Sequence, residues 1–308
     1  MNKKITIIIP LYNEENQIDY TVRKVNQVLN EASITFDIFF IDDGSTDNTW
    51  KKILDLKQKF KYIYGIKLSR NFGKEHAIFA GLENIPSDSV ACVILDADLQ
   101  FPPNVIPKMY ELWEKQGYQI IEGIKVNKEK RNLIYKICSK IYYWILKVLT
   151  GIQFSQASDF KFLDINAVKI LVNLQERDTY FRGLIEWIGL RKISIPFNVE
   201  ERKYGKSKWS FVKLIKLSIS SITSFSSFPL QIVTFIGMLF LIFSIVLGAH
   251  TIVNWILHRS VEGFTTVILL ILITGSCIMI SLGIIGIYIG KIFEEVKKRP
   301  KFIVCDRV

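Results

Sequence analysis

The chain has 308 residues, a formal net charge of +11, 49% hydrophobic and 22% charged residues, and a mean hydropathy of +0.24, which is high for a soluble protein carrying that much charge. The positive balance points to an anionic partner, either a membrane surface or phosphorylated substrates. Nucleic acid is set aside as a partner because no recognisable nucleic-acid module is present. Cys92, Cys138, Cys277 and Cys305 show neither metal-ligand spacing nor a disulfide framework, as expected of a reducing compartment.

Residues 5–9 read as a buried strand, and Pro10-Leu11-Tyr12-Asn13-Glu14-Glu15 as the turn into a helix capped by Asn13, with acids in its first turn. The opening Met1-Asn2-Lys3-Lys4 and the short apolar run before Pro10 fall short of a signal-peptide core, so roughly the first 200 residues are expected in the cytosol. Ile18, Val22, Val25 and Leu29 recur at helical spacing. Residues 36–41 form a second expected strand, ending in Asp42-Asp43-Gly44-Ser45-Thr46-Asp47. Asp42 or Asp43 could cap the helix marked by Trp50, Ile53, Leu54 and Leu56. Residues 63–68 are a third strand, followed by Ser69-Arg70-Asn71-Phe72-Gly73-Lys74. In the next helix the small residues Ala77, Ala80 and Gly81 allow close packing on the sheet.

The stretch 90–95 is apolar without alternation, which suits a strand buried on both faces of a parallel sheet. It ends in Asp96-Ala97-Asp98-Leu99-Gln100-Phe101, and Pro102-Pro103 stops the strand. In open α/β sheets ligands bind beyond the carboxyl ends of the strands. Two carboxylates one residue apart there suit a hard divalent cation that bridges to phosphate. A bare Asp-x-Asp arises by chance about as often as not in a chain of this length. The buried strand before it and the prolines after it give it weight. Strand and helix alternate at the spacing of a doubly wound α/β domain. No Gly-x-Gly-x-x-Gly follows the first strand, which argues against dinucleotide binding. Gly205-Lys206-Ser207 imitates the end of a P-loop, but Glu200 stands where its first glycine is required.

Residues 131–149 carry Leu133, Ile134, Ile137, Ile141, Ile145 and Leu149 among Tyr135, Tyr142, Tyr143, Trp144, Lys136, Lys140 and Lys147. This pattern suits a helix lying in a membrane interface, with an ordinary surface helix on the sheet as the alternative. Residues 206–228, with Trp209, Phe211, Lys213 and Lys216, suit a second such helix. No Asp, Glu, Lys or Arg occurs in 217–258 or in 263–290. Within these, 230–253 and 264–289 are each long enough to cross a core of about 30 Å at about 1.5 Å per residue. The expected organisation is therefore a cytosolic domain over 1–228, a two-helix membrane domain over 229–290 and a basic cytosolic tail over 291–308.

Four motifs occur in order: Ile-Pro-Leu-Tyr-Asn-Glu-Glu (9–15), Asp-Asp-Gly-Ser-Thr-Asp (42–47), Asp-Ala-Asp-Leu-Gln-Phe-Pro-Pro (96–103) and Arg202-Lys203-Tyr204-Gly205-Lys206-Ser207-Lys208. With the paired apolar segments, the chain resembles inverting GT-A glycosyltransferases of the polyprenyl-phosphate branch, over essentially its whole length. That branch includes dolichyl-phosphate mannose synthase and bacterial bactoprenol glucosyltransferases. The resemblance implies a GT-A doubly wound nucleotide-sugar-binding domain, then interface helices and two transmembrane helices. It implies that Pro10, Tyr12, Glu14, Asp42 and Asp96 bind the nucleotide-sugar, and that Asp96, Asp98 and Gln100 hold Mg2+ or Mn2+. Asp98, Asp159 and Arg202 become the catalytic set, and Arg131, Arg202 and Lys208 the residues for the lipid phosphate. Asp159, in Asp159-Phe160-Lys161, is placed near the reacting carbon; orienting the acceptor or balancing an oxocarbenium-like centre suits it at least as well as general base. Relatives often have His where Phe101 stands, so no role carries over to that side chain. Taken alone, Arg202, Lys203, Lys206 and Lys208 are a juxtamembrane cluster suited to anionic lipid.

The implied activity is transfer of a sugar from a nucleotide-sugar, UDP-linked glucose or N-acetylhexosamine, to undecaprenyl phosphate at the cytosolic face of the cytoplasmic membrane. Both termini would be cytosolic, with a flippase and a second transferase acting downstream, and a homo-oligomer is allowed. Two other readings stand beside it. A processive polysaccharide synthase of the same fold would carry Gln-x-x-Arg-Trp, which neither Gln175-Glu176-Arg177 nor Arg182 with Trp187 forms. A non-catalytic membrane scaffold is disfavoured by the intact acidic motifs.

Overall fold

The computed structural model describes residues 3–125, 158–174, 180–198, 226–257 and 263–308, with a few isolated positions between them. The chain forms two compact units, Met1–Ile215 with Pro300–Val308, and Lys216–Arg299. The first is built on parallel strands β1 (Ile5–Leu11), β2 (Phe36–Asp42), β3 (Ile63–Leu68) and β4 (Ala91–Ile94). Between them run α1 (Ile18–Glu31), α2 (Thr49–Lys59) and α3 (Lys74–Glu83). β4 is buried throughout, as a continuous apolar run requires, and β2 is buried throughout as well, with its Asp37 paired to Lys4 at 2.5 Å. α1 buries Ile18, Val22, Val25 and Leu29 on the sheet, the stripe expected from their spacing.

Pro10 lies inside β1 rather than after it. On the β4 side, Ile8 accepts a bond from Leu95. Pro10, two residues on, faces the same way but lies past the end of β4, so its missing N–H removes no ladder bond. Gly81 fixes how closely α3 approaches the sheet. A Cβ there would lie 2.6 Å from Ile8 Cγ2 and 3.2 Å from Ile41 Cγ1.

After the β4 loop, α4 (Ile106–Gln116) leads to β5 (Ile120–Lys125). Then follow β6 (Lys161–Asp164), α5 (Ile165–Asn173), α6 (Phe181–Trp187) and β7 (Lys192–Phe197). β6 runs antiparallel to β4 and to β5, while β7 is parallel to β5 and carries exposed Pro196 at the sheet edge. The doubly wound core is thus extended into a mixed sheet, with the order β7-β5-β6-β4-β1-β2-β3-β8.

The second unit holds α7 (Phe228–Ile256) and α8 (Phe264–Val296), 29 and 33 residues long. Both are long and apolar enough to cross a membrane, at about 44 and 50 Å. Their hydroxyls bond back along the helix, Thr251 to Leu247 O, Thr274 to Leu270 O and Ser281 to Cys277 O, so no extra partner is demanded in an apolar medium. Tyr288 donates to Ser226 O at 2.6 Å and ties α8 to the segment before α7. The two interface-helix segments, 131–149 and 206–228, lie almost wholly outside the described residues.

The expected basic tail, 291–308, is not a simple tail. Its first residues continue α8 to Val296, and β8 (Val304–Arg307) returns to pair antiparallel with β3. Trp50 Nε1 donates to Asp306 at 3.1 Å, and Gly65 and Val308 exchange backbone bonds of 3.0 and 2.9 Å. The edge of β3 needed a partner that no strong periodicity in the tail announced.

Candidate active site

The loops after β1 and β2 are latched to each other. Asn13, at φ 55, accepts from Thr46 N at 2.9 Å and donates its own N–H to Ser45 Oγ at 2.9 Å. Glu14 N donates to Thr49 Oγ1 at 3.0 Å. Asn13 is therefore not the cap of α1, which starts only at Ile18; its side chain is committed to the neighbouring loop. Left-handed backbone is tolerated by Asn because its short side chain bonds locally. Pro10, half-exposed Tyr12 and Glu14 stand on this strand-end loop, with Gln17 donating to Glu14 Oε2 at 2.7 Å.

Asp42 and Asp43, at the end of β2, do not cap α2 either; that helix begins after Asn48. Asp43 accepts from Phe72 N at 2.7 Å and Gly73 N at 2.9 Å, fixing the loop that leads from β3 into α3. Burial pushes its carboxyl up, against those two N–H groups. Gly44, at φ 69, sits under the same loop, where a Cβ would lie 2.4 Å from Arg70 C. Asp42 is fully buried and accepts from Ser45 N at 2.9 Å through Oδ1. Its Oδ2 is buried with no partner among the described residues, and burial pushes the carboxyl up. A buried acceptor left unpaired is costly, so this oxygen retains the capacity to accept a further donor.

The β4–β6 pairing builds the centre of the site. Ile94 is opposite Lys161 in an antiparallel register, so Asp96 and Asp159, each two residues beyond, come side by side. Lys74, the first residue of α3, joins them. Its Nζ is 2.7 and 2.8 Å from the two Asp96 oxygens and 2.8 Å from Asp159 Oδ2. Arg182, on α6, donates Nε to Asp159 Oδ1 at 2.7 Å. Burial works to raise the Asp159 pKa, but Lys74 and Arg182 outweigh it and hold the carboxyl well below the usual range. Asp96 is pushed up, by burial first and then by Asp159 and Asp98, against Lys74. The Lys74 ammonium, which burial alone would disfavour, is held charged by the two carboxylates.

The loop carrying Asp98 is a tight turn, with Leu99 N bonded to Asp96 O at 3.2 Å and Leu99 at φ 48. Such a conformation in a non-glycine residue costs about 1–3 kcal/mol and is kept where the surroundings over-determine it. Thr21 Oγ1, from α1, holds Ala97 O at 2.8 Å, and Asp98 Oδ1 accepts from Gln100 N at 3.2 Å. Phe101 turns into the core, stacked on Phe160 at 5.6 Å and edge-on to Phe197 at 5.4 Å. Below lies a buried ion pair, Glu122 with Lys161 at 2.5 Å, linking β5 and β6.

The structure thus gathers Asp42, Asp96, Asp98, Gln100 and Asp159 at one end of the sheet. Arg131, Arg202 and Lys208 lie outside the described residues. Lys74, Arg182, Asn13 and Thr21 were not singled out from the sequence as site residues. Only Lys74 had a signal, a Gly-Lys pair opening a helix just after a strand. Among the described residues no group of three His, Cys, Asp or Glu side chains is gathered to hold a metal alone. Asp96, Asp98 and Gln100 supply hard oxygen donors only, which fits Mg2+ or Mn2+ held by one or two carboxylates, with substrate phosphate and water completing the shell.

Residues 6–165 match the family model described as glycosyl transferase family 2. An uncharacterized glycosyltransferase of Synechocystis sp. is 33% identical, covering 99% of this chain and 96% of its own length. The prophage bactoprenol glucosyl transferase homolog of Escherichia coli is 31% identical over 98% of each chain. The bactoprenol glucosyl transferase of Shigella phage SfX is 32% identical over 99% of each. Among solved structures, glucosyl-3-phosphoglycerate synthase from Mycobacterium tuberculosis, in complex with Mn2+, uridine-diphosphate-glucose and phosphoglyceric acid, shares the GT-A fold. Its TM-score is 0.52 at 16% identity, over 72% of this chain and 78% of that one. The chain is a glycosyltransferase and belongs to glycosyl transferase family 2.

Proposed function

We propose that this enzyme transfers a sugar, with inversion, from a nucleotide-sugar to undecaprenyl phosphate, giving a polyprenyl-phosphate-sugar. UDP-linked glucose or N-acetylhexosamine is the favoured donor. The observation that carries the reading is that relatives named bactoprenol glucosyl transferase align over the whole chain, two apolar helices included. The carboxylates at the strand ends support it.

In this reading Asp42 offers its unpaired oxygen to the nucleotide, beside Pro10, Tyr12 and Glu14. Asp96, Asp98 and Gln100 would hold Mg2+ or Mn2+, which when bound stabilises the negative charge growing on the leaving diphosphate. The acceptor phosphate, with a second pKa of about 6, is mostly dianionic at neutral pH and needs no base. Asp159 keeps its charge because Lys74 and Arg182 hold it, so it acts by orienting the acceptor or by balancing positive charge at the reacting carbon. Arg202, Lys208 and Arg131 would receive the lipid phosphate, for which guanidinium and ammonium suit different geometries.

The membrane serves the acceptor, whose apolar tail fixes its phosphate at the surface. Both termini would be cytosolic, with residues 254–263 outside. Lys203, Lys206, Lys208, Lys213 and Lys216 precede α7, and Lys291, Lys297, Lys298, Arg299 and Lys301 end or follow α8. Between the helices Arg259 is the one full positive charge. The product would form inside and require a flippase before use outside.

The test is incubation of purified protein with undecaprenyl phosphate, Mg2+ or Mn2+, and a panel of radiolabelled nucleotide-sugars. One donor should give a solvent-extractable labelled lipid. No labelled lipid with any donor, or label transfer without the lipid phosphate, would reject the reading.

A further inference from the structure

We propose that Lys74 couples cation binding to diphosphate binding, by holding the oxygens of Asp96 until the donor's diphosphate takes over its ammonium. This rests on the nucleotide-sugar reading above.

The geometry sets up a competition. Nζ lies 2.7 and 2.8 Å from the two Asp96 oxygens, so a divalent cation approaching Asp96 meets a positive charge already seated there. The ammonium leaves a pair of carboxylates only for another anion, and the donor's diphosphate is the anion the reaction brings. Movement is open to it. The Lys74 side chain is 41% exposed and sits on a flexible stem at the first turn of α3.

Arg182 completes the device. Because its Nε holds Asp159 Oδ1 at 2.7 Å, Lys74 can move without stripping Asp159 of its counter-charge. Asp96 exchanges the lysine for the cation, Asp159 keeps the arginine, and the lysine goes to the diphosphate. No carboxylate is left uncompensated in a half-buried site. Cation and diphosphate then each bind weakly alone and tightly together, and linkage makes the effect reciprocal.

The test uses the full chain in detergent and measures Mn2+ binding by electron paramagnetic resonance, with and without saturating UDP. In the wild type, UDP should tighten Mn2+ by about tenfold or more, within the usual range of such couplings. In K74Q, Mn2+ binding without UDP should tighten about tenfold, the UDP-dependent gain should shrink by a similar factor to the part that phosphate bound directly to the cation supplies, and donor KM should rise. K74M serves as a second charge-free variant if K74Q does not fold, and K74R, which keeps the charge, should restore most of the coupling. Unchanged or weaker UDP-free Mn2+ binding in both charge-free variants, beside normal wild-type coupling, would overturn the role of Lys74 and leave the donor reading standing. K74R behaving like K74Q would overturn it too. A wild-type protein that binds neither Mn2+ nor UDP would overturn the donor reading and this inference together.

Discussion

Replacing Gly44 by alanine tests whether the β3–α3 loop positions the chemistry. At φ 69 a Cβ costs about 1–2 kcal/mol from the left-handed backbone alone. The new methyl would also lie 2.4 Å from Arg70 C, 2.7 Å from Arg70 Cα and 2.8 Å from Arg70 O. These are backbone atoms, about 1 Å inside normal contact, so the loop must retreat as a unit. Retreat stretches the bonds from Phe72 N and Gly73 N to Asp43, each worth about 1.5–3 kcal/mol to a charged acceptor. Losing one of them brings the expected cost to about 3 kcal/mol, a fall of roughly 6–12 °C in melting temperature for a domain of this size. Turnover should fall further, by about a hundredfold, because Lys74 rides on the displaced loop and small misplacements are amplified in rate. Thermal melts and sugar transfer, measured on the full chain in detergent, check both numbers. A Gly44→Ala enzyme melting within about 2 °C of wild type, with turnover within about twofold, would refute the link between this loop and the site.

Asp98→Ala is expected to abolish transfer while the protein remains folded and membrane-bound, and near-normal or metal-independent turnover would remove the cation from this loop. Arg202→Ala should damage kinetics with the phosphate-bearing substrates more than membrane association; a fall in association alone would assign the cluster to lipid anchoring. A cysteine at Ser260, with native cysteines removed, should react with an impermeant thiol reagent on intact cells. Labelling of a cysteine at exposed Ser87 of the catalytic unit instead would reverse the orientation. Asp159 has a lowered folded-state pKa, so the stability it contributes is complete above the unfolded carboxyl value of about 4 and is lost as pH falls further. The melting difference between wild type and Asp159→Asn should therefore be level from neutral pH down to about 5 and narrow below about 4, and a difference that widens on acidification would contradict the Lys74–Asp159–Arg182 arrangement.

The first half of the sheet was legible because β1, β2 and β4 are mostly apolar runs closed by acidic or proline-containing turns. β3 matches its expected span, residues 63–68. The helix starts were misread at Asn13 and Asp42 or Asp43, since a polar residue after a strand serves a loop latch as readily as a cap. The far half, β5 to β7, was not legible. β6 is a four-residue strand whose Lys161 would ordinarily argue against burial. Only the pairing of Lys161 with Glu122 makes that position tolerable, and the partner is 39 residues away in sequence. Lys74 and Arg182 were missed for a similar reason. Each acquires meaning from the β4–β6 register, which local pattern does not encode.

The return of the chain to the sheet constrains the membrane arrangement as strongly as the charge bias does. Phe197 in β7 and Val304 in β8 belong to the same sheet, and everything between them includes α7 and α8. An α/β unit with polar loops stays on one side of a bilayer, because lipid cannot satisfy its exposed backbone groups. A chain that leaves such a unit and rejoins it crosses an even number of times. If one of the two helices crossed alone, β8 would be stranded opposite β3, and the Trp50–Asp306 bond and the Gly65–Val308 pair could not form. Either both helices cross or neither does. Their lengths, and exposed apolar side chains such as Phe235, Leu241, Ile271 and Met279, favour both. Orientation then reduces to a single choice of side, the one the proposed reading takes from the lysine and arginine distribution, and a label at Ser260 tests that choice for the whole catalytic sheet.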